Sequence, residues 1–348
     1  MTTDFVYSPE DVRTARRCFS RAGEGLAVMI AITYGLTLLG AYFIRQISPA
    51  LLENTWIPWI IQYGALYLIA LPVCLLILQP VPHSAPPGGL LSWKHLPIVF
   101  PICIFVMYTS NIITLLLNRF LADNFGLHTD NPVEDVFMDM GLVQRILIPV
   151  IIAPVMEELI FRKILIDRMH VYGERIAVVT SAVMFGLFHG NLSQVLYATT
   201  LGLILGYVYL RSGKLRYSII LHMMINSIAA ILVSLLGAAG MEPEELDALQ
   251  ETMQGADPSD PAVIQELSEM FTPAVLAIML IIMVLFFLFL AGIVLLIVFF
   301  RKIRFFQAPY ELPKGRRFST VWLNIGMILF LLAAIGEFVY YYSTAAAS

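Results

Sequence analysis

Glu157, Glu158, Arg162, His189, His222 and Asn226 all lie inside apolar stretches of this 348-residue chain. Ionisable groups at membrane depth are costly, so they persist where they face a wet cavity and carry out chemistry or transport. A carboxylate and an imidazole that share a water can deprotonate it for attack on an amide. A second imidazole and a side-chain amide on one helical face can then donate to the oxyanion that forms. Spacing divides the residues between these tasks. At about 100° per residue, Glu158 and Arg162 share a helical face, whereas Glu157 sits roughly 140° around from Arg162. The acid precedes the base by four residues, the favourable order for an ion pair. One carboxylate is thus held as a structural partner, and its neighbour is free to face a cavity. Phe185 and His189 stack at the same spacing, with Phe185 as packing beneath the site, and His222 and Asn226 repeat it. The assignment is Glu157 with His189 for water activation, His222 with Asn226 for the oxyanion, and Glu158 with Arg162 as the ion pair.

Each group needs an element to carry it. The chain is 59% hydrophobic and 13% charged, with mean hydropathy +0.81; a soluble domain has about a quarter of its residues charged. A membrane-crossing helix takes roughly 20 apolar residues. Such stretches fall near 25–45, 57–79, 96–118, 142–168, 174–190, 193–211, 216–239, 273–300 and 320–342. The expected fold is all-α, a polytopic transmembrane bundle of about nine spans. At 1.5 Å per residue, Glu157 lies roughly 16 Å from Arg168 and His189 roughly 18–24 Å from the start of its span. Pro154, one turn before the acids, lacks an amide proton and should bend its helix.

Charge orients the bundle. Basic residues concentrate on the cytoplasmic side, and here they cluster around Arg13–Arg21, Lys94, Arg168–Arg175, Arg211–Arg216 and Arg301–Arg317. Those loops all fall on one side if the N-terminus is cytoplasmic. Glu242 to Glu269 holds nine acids and no Lys or Arg, which assigns it to the outer side. The organisation follows: a cytoplasmic surface amphipathic helix (1–24) starting at Ser8-Pro9, three spans (25–141), a catalytic core of four spans (142–239), an acidic outer loop (240–272) and two last spans (273–348). Arg145 reads as interfacial, and Glu337, near Tyr340, as a side chain snorkelling to the outer surface. The three cysteines, Cys18, Cys74 and Cys103, sit in separate segments and suggest neither a disulfide framework nor a zinc knuckle.

EELIFR (157–162), FGLFH (185–189) and HMMIN (222–226) match in order and spacing the EExxxR, FxxxH and HxxxN motifs. The window 142–239 therefore resembles the CAAX protease and bacteriocin-processing family of intramembrane endopeptidases. The resemblance implies that Glu157 is the catalytic base, His189 assists it, His222 and Asn226 stabilise the oxyanion, and Glu158 with Arg162 is structural. It also implies a peptide or protein substrate that enters from the membrane; prenylated CAAX peptides, peptide pheromones, bacteriocin precursors and other membrane proteins are all compatible. The location expected is the bacterial cytoplasmic membrane, with the site near the cytoplasmic side.

Members of that family are described both as metalloproteases and as metal-free glutamate enzymes. The preferred reading needs no cofactor; a zinc, if bound, would draw on Glu157, Glu158, His189 or His222. Two other classes compete: a transporter using the buried Glu and His as a proton relay, and a non-catalytic immunity or scaffold protein. No phosphate loop, dinucleotide fingerprint, HExxH or nucleic-acid patch occurs.

Overall fold

The computed structural model describes residues 9–126, 137–240 and 271–345. Among them there is helix and no strand. Seven helices among the described residues are long and apolar enough to cross a bilayer: α1 (Pro9–Ile47), α2 (Trp56–Leu78), α3 (Leu96–Phe125), α6 (Leu192–Ser212), α7 (Leu215–Ala239), α8 (Pro273–Phe300) and α9 (Ile325–Ala345). The protein is a multi-pass all-α membrane bundle. The other two expected spans are helical but differently built. α4, over 142–172, is one winding run broken by π-helical turns, and α5 (Glu174–Leu187) has 14 residues. That gives α5 a length of about 21 Å, short of the roughly 30 Å hydrocarbon core.

The surface helix expected over 1–24 does not stand apart. It starts at Pro9 and runs without a break into the first span, because its apolar stripe has no interruption. Ala15, Cys18, Phe19, Ala22, Leu26 and Met29 follow one helical face and are each 0–1% exposed, while Arg13, Arg16, Arg17 and Arg21 are exposed. The proposed N-cap Ser8 and the acidic loop, apart from its ends, lie outside the described residues.

The basic loops gather at one end. Ser84 N–H donates to Asp167 O (3.0 Å), Leu90 N–H to Arg211 O (2.9 Å), and Tyr310 and Leu312 N–H to Val171 and Tyr172 O (2.9 Å each). Two non-helical straps, near 80–92 and 303–313, thereby stitch the ends of α4, α5 and α6 together. Buried Glu174 fastens the second strap, pairing with Arg211 and accepting from Phe306 N–H. Assigning this end to the cytoplasm rests on the charge rule.

α4, α5, α6 and α7 position the site. α5 and α6 approach closely at Gly202, where a Cβ would meet Ala182 Cα and the Phe185 ring at 3.2 Å. Arg145, read as interfacial, is buried in protein contacts at the start of α4. It is 9% exposed and donates to Met140 O (2.7 Å), Phe137 O (3.1 Å) and Ser234 Oγ (3.0 Å), tying the start of α4 to α7.

Candidate active site

The two acids ride on a short α-helical piece, Ala153–Glu158, between π-helical stretches Leu147–Ile152 and Leu159–Ile166. π turns are rare and concentrate at functional sites. The first has a local cause. Ala153 N–H reaches back to Ile148 O, five residues away, so the Pro149 carbonyl loses its α-helical donor. In the wide register its donor would be residue 154, a proline with no N–H. Asn226 fills that vacancy from α7, donating Nδ2–H to Pro149 O at 2.7 Å. Its observed bond is therefore to the backbone of α4, an interhelical role; the other amide N–H is not engaged there.

The ion pair read from spacing is present and buried. Arg162 Nε lies 3.1 Å from Glu158 Oε2, with both side chains 0% exposed. Arg162 Nη1 donates to Ser181 Oγ at 3.2 Å, and Ser181 passes its own hydrogen to Phe161 O at 2.6 Å. The guanidinium stands 4.9 Å from the Phe185 ring centroid, and Nη2 has no hydrogen-bond partner. A guanidinium over a ring gains cation–π attraction in such a desolvated place. Ser181 was missed in the sequence, though it lies four residues before Phe185 on the same face.

His222 stands between the two carboxylates. Its Nδ1 is 3.2 Å from Glu158 Oε1 and its Nε2 is 3.6 Å from Glu157 Oε2. The carboxylate accepts, so Nδ1 carries a hydrogen towards Glu158, and Nε2 is turned to Glu157. Glu158 thus spends one oxygen on Arg162 and the other on His222. Glu157, 22% exposed at its side chain, retains accessible oxygen. Tyr63, Tyr67 and Tyr197 stand within electrostatic range of it. Tyr63 and Tyr67, four apart in α2 with ring centroids 5.2 Å from each other, bring the N-terminal half of the chain to this carboxylate. Their spacing was the available signal.

His189 follows the C-terminal turn of α5. Its Nδ1 faces the Phe185 carbonyl at 2.8 Å; a carbonyl only accepts, so Nδ1 holds the hydrogen and Nε2 is a bare acceptor. The ring meets Phe185 edge-on at 4.9 Å, and Phe185 meets His222 at 5.8 Å. Phe185 is thus the hub on which Arg162, His189 and His222 converge. His189 joins the cluster through that ring, and its hydrogen bond goes to the backbone rather than to a carboxylate.

Behind His189, Glu337 corrects the sequence reading. It does not snorkel: it is 7% exposed and its Oε2 has no hydrogen-bond partner. α9 lays it against Gly190, whose φ is +65° and where a Cβ would stand 3.1 Å from the Glu337 Cβ. Only glycine takes both the left-handed backbone and this approach comfortably.

Zinc does not fit the donors as arranged. A catalytic zinc takes about three protein ligands, and no three His, Cys, Asp or Glu side chains among the described residues come together to hold a metal. Glu158 and the Nδ1 of His222 are already committed to one another.

Residues 140–228, which carry all three motifs, match the family model described as type II CAAX prenyl endopeptidase Rce1-like. The chain is also 26% identical over 170 residues to a Bacillus subtilis (strain 168) protein named "Putative membrane peptidase YdiL", spanning 48% of this chain and 68% of the relative. No solved structure matches it. The two similarities support the CAAX protease family read from the motifs.

Proposed function

We propose that the chain is an intramembrane endopeptidase that hydrolyses a peptide bond of a membrane-associated peptide or protein. The observation that carries this reading is the unequal treatment of two adjacent acids. Glu158 is locked between Arg162 and His222, while Glu157 keeps open access. A general base must reach the proton it removes, and of the two only Glu157 can.

In this scheme Glu157 takes a proton from water, and the bare Nε2 of His189 accepts a hydrogen bond from the same water and orients it. The hydroxide adds to the substrate carbonyl, and the oxyanion draws on the free N–H of Asn226, whose other N–H stays on Pro149; His222, whose Nδ1–H goes to Glu158, adds a second donor at Nε2 only as the doubly protonated ring. Glu157 then returns the proton to the leaving amine. The Glu158–Arg162 pair fixes His222. No step requires a metal. The Rce1-like match favours a prenylated C-terminal peptide over a transported solute, and the charge rule puts the site nearer the cytoplasmic face.

The test uses purified full-length protein in proteoliposomes, with a quenched fluorogenic peptide ending in a CAAX sequence, farnesylated or not, and products identified by mass spectrometry. Cleavage by the wild type, abolished in Glu157→Gln and in His189→Ala while both proteins accumulate folded, is the expected result. Solute flux without cleavage, or cleavage untouched by Glu157→Gln, would defeat the proposal.

A further inference from the structure

A cavity of about 460 Å³ opens at the basic end where α6 turns into α7. Lys163, Lys214 and Arg216 line it, with Tyr209, Leu159 and Leu215. No acid is among its lining residues. The acid standing behind it, Asp167, is 1% exposed and fully occupied: Lys163 Nζ lies 2.6 Å from Oδ2, and Tyr209 O–H donates to Oδ1 at 2.6 Å. Lys163 is therefore held in place and keeps two of its three N–H donors. Lys214 and Arg216 are exposed and make no ion pair with any described residue. The cavity thus carries uncompensated positive charge, set beside two leucines.

Its position narrows the ligand. The turn 213–214 joins two helices long and apolar enough to span the bilayer, so the cavity lies at the membrane edge. Basic pockets between spans at that level suit anionic headgroups. We propose that this cavity binds the phosphate headgroup of an anionic bilayer lipid. The phosphate rests on Lys214, Arg216 and the spare donors of Lys163, and the acyl stem leaves along Leu159 and Leu215. A free phosphate would use the cations alone and gain nothing from the leucines. Leu159 and Lys163 directly follow Glu158 and Arg162 on the wide turn 159–166, so a bound lipid braces the outer side of the turn whose inner side holds the ion pair. The site stands independently of the proposed peptidase activity.

The experiment measures lipid binding to the full chain, delipidated in zwitterionic detergent, by native mass spectrometry with phosphatidylglycerol, phosphatidylcholine and inorganic phosphate as separate probes. Phosphatidylglycerol should bind and the other two should not compete at equal concentration. Lys214→Ala with Arg216→Ala should weaken it roughly 30-fold, and Arg216→Gln alone roughly fivefold; the single variant carries the test if the double one accumulates poorly. Arg301→Ala with Lys302→Ala removes the same charge from exposed positions at the same end outside the cavity and should change binding less than twofold. Equal binding of phosphatidylcholine, equally tight binding of inorganic phosphate, or an equal loss in the Arg301 and Lys302 control would overturn the proposal.

Discussion

Replacing either of two neighbouring glutamates by glutamine should have opposite consequences. Glu158→Gln removes the charge facing a guanidinium that is 0% exposed and has one nitrogen already without a partner. Taking one member from a buried pair costs about 3–5 kcal/mol, because the survivor is left uncompensated. Glu157→Gln removes a carboxylate that is 22% exposed and sits 3.6 Å from His222, beyond hydrogen-bond length. Its loss should cost about 0–1 kcal/mol, yet it removes the proposed general base, a role worth about 10²- to 10⁴-fold in rate. The assay is denaturant unfolding of both variants in one detergent, with peptide cleavage followed in parallel. A double variant, Glu158→Gln with Arg162→Met, should recover part of the Glu158→Gln loss, since no unpaired charge remains. Equal destabilisation by the two single variants, or strict additivity in the double, would refute the division of labour argued from this geometry.

Other expectations follow from single contacts. Asn226→Ala leaves the Pro149 carbonyl without its donor and should cost about 1–3 kcal/mol; in a Pro154→Ala background, which restores an amide N–H in that turn, the same change should cost measurably less. Gly190→Ala puts a Cβ on a backbone at φ +65° and against Glu337, and should cost about 1–3 kcal/mol with a fall in cleavage rate, since His189 precedes it; unchanged melting would remove the argument. Treatment with a chelator, verified by metal analysis of the protein, should leave cleavage intact, and loss restored by added zinc would reverse the metal-free scheme.

Much of the architecture was readable from hydropathy, and the partition of the two acids from helical spacing alone. Glu158 and Arg162 pair as a separation of four residues requires, even though a π-helical stretch begins between them. The first wide turn was not readable, because it leaves a carbonyl that Pro154 cannot serve to a donor arriving from another helix, Asn226. Nor could spacing show that His222 would stand between both carboxylates, since that depends on how α7 is rotated against α4. Glu337 was misjudged for a related reason. Its nearness to Tyr340 along the chain suggested a membrane edge, whereas α9 packs its flank on the turn after His189. The merging of the amphipathic start with the first span was visible in the stripe from Ala15 to Met29, once followed past residue 24.

The wide windings on either side of the acids also govern how the chain tolerates changes in length. Inside the six-residue piece 153–158, an inserted or deleted residue would swing everything beyond it by about 100° and exchange the outlooks of the two acids. In a π turn the surplus residue is taken up as a local bulge. Residues 147–152 and 159–166 therefore act like expansion joints, where indels can accumulate while the segment bearing the two acids keeps its aim.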